Sequence, residues 1–223
     1  MKVLAPALAF ALIATPSVPD RDAPELTIAQ LQYDGGGDWY ANPSGLPNLL
    51  RAIRERTGLS VAERPAQVRL TDRSLWSYPY LYLTGHGNIR LSSEEVTILR
   101  RYLAQGGFLH ADDNYGLDES FRRELRRVFP EHELVAIPAT HPVYNVLYTF
   151  PEGLPKVHRH EGRAPQGLGI FDAGRLVVFY SFESDLGNGW EDADRYDDPP
   201  ELREAALRMG VNLFLYALAQ ARP

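Results

Sequence analysis

Residues 26–33 read LTIAQLQY, and their alternation of apolar and polar positions predicts a first strand. The DGGGDWYANPSG stretch that follows has no such period and reads as a loop. Leu46, Leu49, Leu50 and Ile53 then fall on one helical face, with Gly58 placed to end that helix. A short strand is predicted within 61–70. The run YPYLYLTGHG (78–87) is almost continuously apolar and closes on glycine, as a buried parallel strand does. Ser92 and Glu95 have the spacing of a capping box, ahead of Val96, Leu99 and Leu103. GGFLHADD (106–113) reads as another strand. Asp118 is placed to cap a helix carrying Phe121, Leu125 and Val128, and Pro130 stops it. Its four arginines, Arg122, Arg123, Arg126 and Arg127, read as a solvated face that needs no partner. A strand over 133–138, a hairpin over 168–180 turning at Asp172-Ala173-Gly174, and a long helix from Glu201 to about Ala219 complete the chain. Asn212 lies in the apolar second half of that helix and reads as a buried structural amide.

This alternation predicts an α/β fold: a flavodoxin-like, doubly wound, mainly parallel sheet with a hairpin at one edge. The polar motifs then acquire a common address, because they follow the predicted strands. Asp34 and Asp38 follow the first strand and His86 the 78–84 run. Asp112, Asp113 and Asn114 follow 107–111, and His141 follows 133–138. Glu183, Asp185, Asn188 and Trp190 follow the hairpin. In open α/β sheets the ligand crevice lies at that rim.

Composition narrows the chemistry. There is no cysteine among the 223 residues, which excludes disulfides, thiolate metal sites and cysteine nucleophiles together. The formal net charge of −6 leaves no basic footprint for nucleic acid. Residues 1–17 begin with Lys2 and an apolar run over 3–14, too short to span a bilayer comfortably, and read as a signal peptide. Residues 18–24 read as a linker and 25–221 as one α/β domain. Export to the bacterial periplasm follows, with no membrane span once the signal is cleaved.

The rim residues admit several chemistries. His86, His141, Asp113 and Asp185 are ligand types for a divalent metal, and Asp112 and Glu183 could join them. Taken singly, each histidine reads better as ordering a loop by a hydrogen bond. Asp112, Asp113 and His86 are the candidate catalytic residues. One of the two adjacent aspartates could face the crevice and work with Asp38 or Asp185 on a glycosidic or amide bond, while the other caps a turn. The glycine loop 35–37 lacks the phosphate-binding patterns and is flanked by Asp34 and Asp38, so close backbone passage is the better reading. Asp38, Trp39, Tyr40, Asn114, Asp185 and Trp190 are candidate ligand contacts, since aromatics beside carboxylates and amides suit a carbohydrate or peptide. Trp39 and Trp190 could equally pack the loops on one another. The acidic stretch 185–201 does not match a calcium loop and reads as a solvated flap.

The motifs YDGGGDWY (33–40), YLYLTGHG (80–87), GGFLHADD (106–113), THPVY (140–144), SDLGNGWE (184–191) and GVNLFLYAL (210–218) resemble the bacterial domain of unknown function 4159 family. That family is similar to the class I glutamine amidotransferase-like superfamily, and the resemblance implies its flavodoxin-like sheet. It implies no activity. Where amidotransferase relatives place their catalytic cysteine, this chain has Ala111-Asp112-Asp113-Asn114.

Two functions remain open. The first is an exported noncatalytic domain that binds a glycan, small molecule or partner protein in the rim crevice. The alternative is an exported hydrolase, metal-assisted or not, using the acids and histidines of the same crevice. In either case the rim polar residues are expected to contribute little to stability, with an Asp112 or Asp185 substitution even mildly stabilising.

Overall fold

The computed structural model describes residues 25–158 and 162–221. The expected signal segment and linker lie outside the described residues. Seven strands form one sheet in the order β2-β1-β3-β4-β7-β6-β5. They are β1 (Ala29–Leu31), β2 (Ala66–Val68), β3 (Tyr80–Leu83), β4 (Phe108–Asp112), β5 (Val135–Ala136), β6 (Gln166–Asp172) and β7 (Arg175–Phe182). Strands β2, β1, β3, β4 and β7 run parallel. Strand β6 is antiparallel to β7, and β5 to β6. The hairpin therefore joins the parallel sheet through β7, and β5 lies beyond it. Ala173 and Gly174 both take positive φ at its turn, as a tight hairpin turn demands.

Because side chains alternate along a strand, each parallel strand serves two cores. Tyr80, Tyr82, Phe108 and Phe179 face α1 (Gly45–Thr57) and α6 (Pro200–Gln220). Leu81, Leu83, Leu109 and Val178 face α2 (Ser93–Ala104) and α3 (Asp118–Val128). With both faces covered, the strands have no solvent side, which is why their sequences are nearly continuous in apolar residues. Phe214 of α6 packs on Tyr80 with ring centroids 5.8 Å apart. Asn212 is buried and its amide accepts from the Leu147 and Tyr148 N–H groups and donates to the Tyr148 carbonyl, tying that segment to α6.

The Ser92–Glu95 capping box forms as expected, and Gly58 ends α1 at φ 72°. Two local expectations are corrected. Leu117, not Asp118, occupies the N-cap of α3, and the Asp118 carboxylate instead accepts from Arg122 (2.6 Å) and the Tyr180 hydroxyl (3.0 Å). The α3 arginines are not a partnerless solvated face either. Arg123 bonds Asn88 and the Ile89 carbonyl, and Arg127 bonds the Leu91 carbonyl and Glu124, so they fasten the segment leading into α2. No described helix is long and apolar enough to cross a membrane.

Candidate functional site

Strand β1 has β2 on one side and β3 on the other, so the chain changes direction across the sheet there. The loops leaving the carboxyl ends of β1 and β3 diverge at this point and frame a crevice. They approach closely because they are rich in glycine. A Cβ at Gly37 would stand 2.9 Å from the His86 carbonyl, and one at Gly85 would stand 2.9 Å from the Asp38 carbonyl. Gly85 also has φ 137°, which L side chains rarely adopt.

That approach brings Asp38 against His86. Both carboxylate oxygens lie within reach of His86 Nδ1, at 3.0 and 3.2 Å, and Asp38 Oδ1 also accepts from the His86 backbone N–H. In return the Asp38 N–H donates to the His86 carbonyl at 3.3 Å. The pair is open, with side-chain exposures of 51% for His86 and 35% for Asp38. Tyr40 lies two residues past Asp38. Gly116 of the β4 loop meets Gly87, for a Cβ at Gly116 would lie 3.7 Å from the Gly87 nitrogen. Asn114 is buried and donates to Thr84 Oγ1 at 2.9 Å, so the β4 loop is fastened to the β3 loop.

Asp112 behaves oppositely. It is wholly buried, and four donors close on its carboxylate: Ser181 Oγ (2.5 Å) and Leu186 N–H (3.1 Å) on Oδ1, Gly187 N–H (2.6 Å) and Tyr82 Oη (3.1 Å) on Oδ2. Burial pushes the Asp112 carboxyl up to about 7, making it a weaker acid; the Asp185 charge adds to the shift, and the hydrogen bonds oppose it. Behind it stands His110, also wholly buried, with Nε2 2.9 Å from Ser181 Oγ and Nδ1 2.8 Å from Tyr80 Oη. Burial pushes the imidazole down to about 3, so it is neutral. The tautomer with the proton on Nε2 lets every hydroxyl and imidazole donate in one direction, Tyr80 to His110 to Ser181 to Asp112. The outcome is a sealed chain that satisfies one buried carboxylate.

Asp113 is buried too and accepts the Glu183 N–H at 2.8 Å. Glu183 and Asp185 sit at φ 58° and 57°, a strained conformation for residues with a side chain. Glu183 is buried and paired with Lys156 at 2.8 Å, and Asp185 is buried at the N-cap of the short helix α4 (Leu186–Trp190). A cleft of about 230 Å³ lies beside these groups, lined among others by Asn114, Tyr115, Glu119, Arg163 and Glu183.

The rim therefore gathers most of the expected residues but uses them differently. Asp38, His86 and Tyr40 are open to solvent. Trp39 is half-buried, packs on the α2/α3 core, and its carbonyl accepts from Gln30. Trp190 is a core residue, fully buried against Tyr82 with its indole N–H on the Ala206 carbonyl. His141 is not brought to the rim. Its ring lies by Phe171 and Tyr216, its Nδ1 accepts the Val143 N–H, and Phe171 pairs with Leu176 near the start of β7, at the opposite edge of the sheet from Asp112. Burial pushes the His141 imidazole below its ordinary range, because the charged form is the one that loses water. Among the described residues no group of three or more His, Cys, Asp or Glu is arranged to hold a metal ion. The acidic 185–201 stretch, which carries the short helix α5 (Ala193–Tyr196), is only partly a solvated flap. Buried Glu191 accepts the Ser44 and Gly45 N–H groups at 2.8 Å each, and thereby caps the start of α1.

His110, Ser181 and Tyr82 were absent from the sequence expectations. A signal existed for His110. Positions 108, 110 and 112 share one face of a strand buried on both faces, so His110 and Asp112 had to be satisfied inside the core.

No curated protein matches the chain. The model of the domain of unknown function 4159 family (DUF4159) matches residues 27–218, and the chain belongs to that family.

Proposed function

We propose that the crevice along the carboxyl ends of β1, β3 and β4 binds a polar ligand, and that among glycans, small molecules and partner proteins a glycan suits it best. The observation that carries this reading is the contrast between what the rim exposes and what it buries. Tyr40 and Tyr115 are 62% and 66% exposed, on the two loops that meet the His86 loop. Flat aromatic faces beside a carboxylate and an imidazole match the apolar faces and hydroxyls of a sugar ring. Asp112 and Asp113, by contrast, are engaged by the protein's own donors. A net charge of −6 further disfavours an anionic ligand.

Titration calorimetry against neutral oligosaccharides tests the reading. Tyr115→Ala and Tyr40→Ala should each weaken binding about tenfold, near 1.4 kcal/mol. Binding by both variants at wild-type strength would overturn it. Export belongs to the same proposal and is supported by the apolar run over 3–14. Sequencing of the native protein should find a new N-terminus between about Ala14 and Pro19, and an intact Met1 in the cytoplasmic fraction would contradict it.

A second reading, a hydrolase working in this crevice, is favoured by one feature, the open Asp38–His86 pair.

A further inference from the structure

We infer that Asp38 and His86 form a general-base pair that activates water against a neutral carboxylic ester held in the rim crevice; this rests on the crevice being the ligand site. His86 is the catalytic residue and Asp38 its positioning residue. The Asp38 carboxylate faces Nδ1 at 3.0 and 3.2 Å, which places the ring proton there and leaves the Nε2 lone pair outward. No described residue bonds Nε2, and the side chain is half exposed. A histidine oriented by a carboxylate, with its other nitrogen open to a reactant, is the arrangement of a general base.

The glycine loop gives this pair its geometry. Asp38 is held by two backbone hydrogen bonds with His86 as well as by the ring. Both depend on Gly37 and Gly85, where a side chain would strike the partner loop. Such a doubly fixed pair at the switch point exceeds what ordering an exposed loop requires.

The substrate class follows from the surrounding groups. Glycosidic hydrolysis takes two carboxylates at a set separation. Here Asp112 is sealed and Asp113 holds the Glu183 N–H. An ester carbonyl needs one base and a water. His86 Nε2 accepts a proton from the water as its oxygen bonds to the carbonyl carbon. The tetrahedral intermediate then expels the alcohol oxygen, and the same proton passes from Nε2 to it. An acid and an alcohol leave, and the ring returns to its starting state. Asp38 disfavours an anionic substrate, and exposed Tyr40 and Tyr115 favour an ester with a flat apolar face, such as an acylated sugar.

The experiment uses the full chain with 4-nitrophenyl acetate and with glucose pentaacetate. Wild type should exceed an equal concentration of free imidazole, and His86→Ala should lower kcat by about a hundredfold or more with unchanged circular dichroism. Asp38→Asn should lower kcat more than it alters KM, because the ring loses the carboxylate that holds its proton on Nδ1, and Asp38→Glu should restore part of kcat. A merely structural Asp38 would leave kcat at the wild-type value in the Asn variant once folding is matched. Hydrolysis no faster than imidazole, or His86→Ala as active as wild type, overturns the inference. If wild type binds acetylated sugar in a Tyr115-dependent way without turnover, the ester chemistry fails and the crevice stands. If Tyr115→Ala and Tyr40→Ala leave sugar binding unchanged, the crevice reading fails with it.

Discussion

Replacing Asp112 by Asn removes a buried charge while keeping nearly the same shape. Two opposed effects follow. The amide group can accept through only one side, so two of the four donors, either Ser181 and Leu186 or Tyr82 and Gly187, meet an NH₂. Leaving buried donors unsatisfied costs about 1–3 kcal/mol each. Ser181 can turn to the Ala111 carbonyl at 3.1 Å, which places the lower end of that range within reach. Against this, the wild-type carboxyl titrates at about 7 in the fold and near 3.8 when unperturbed. Its folded value is raised, so the proton favours the folded state. That stability is complete below the unfolded value and is lost as pH rises through the folded one. Between pH 5 and pH 8 the wild type should therefore lose about 3 kcal/mol through this group, at about 1.4 kcal/mol per unit. Asp112→Asn has no such proton. Urea unfolding of both proteins at the two pH values isolates the Asp112–Asp185 pair, because the titrating groups outside that pair are common to both. The variant should be clearly less stable at pH 5, with the deficit shrinking by about 2–3 kcal/mol at pH 8. Parallel pH profiles for the two proteins would refute the account of Asp112 as a sealed, proton-linked carboxyl. Asp112→Ala should be worse than Asn at both pH values, since all four donors lose their acceptor, contrary to the mild stabilisation the sequence suggests.

Leu109→Ala, at a wholly buried position of β4, should cost about 2–5 kcal/mol through lost burial and a cavity, whereas half-exposed His86→Ala should change unfolding free energy by no more than about 1 kcal/mol. A histidine variant as unstable as the leucine variant would make His86 a structural tie. Glu191→Ala should cost about 1–3 kcal/mol and speed amide exchange at Ser44 and Gly45, which lose their buried acceptor. Unchanged exchange there would show that the carboxylate does not cap α1.

The fold was legible because the hydrophobic pattern had only one consistent solution. Runs such as YLYL and FLHAD, with turn residues between them and amphipathic helices, demand a parallel sheet covered on both sides. Boundaries set by a single cap were less so. Asp118 has the chemistry of an N-cap, yet Arg122 and Tyr180 claim its carboxylate, and both partners are fixed by tertiary packing. Positions at the rim were legible as a set because strand ends share an address. Their orientation was not, since an aspartate in a loop can turn outward, as Asp38 does, or fold back onto backbone donors, as Asp113 does. His141 was misplaced for a related reason. Its strand ends at the rim, but Pro142–Tyr144 form a short 3-10 turn and the imidazole packs on Phe171 and Tyr216, away from that edge.

The contrast between the buried acids at the end of β4 and the surface Asp38 has one physical origin. The segment after β7 must reverse tightly to start α4, and it does so with two strained residues, Glu183 and Asp185. Such a turn persists only if the neighbouring structure over-determines it. Asp113 takes the N–H of Glu183, and Asp112 takes those of Leu186 and Gly187 immediately beyond. Carboxylates at the end of β4 are thus anchors for a backbone path that a sequence without a glycine at 183 or 185 would otherwise abandon. Gly187 fits the same logic, because a Cβ there would come within 3.0 Å of Asn42 Nδ2, Tyr82 Oη and Asp112 Oδ2. The β1 and β3 loops solve their own close approach with glycines instead, and so need no buried acid to hold them. Asp38 remains at the surface with His86, and the chemistry that can meet a ligand collects at the switch point.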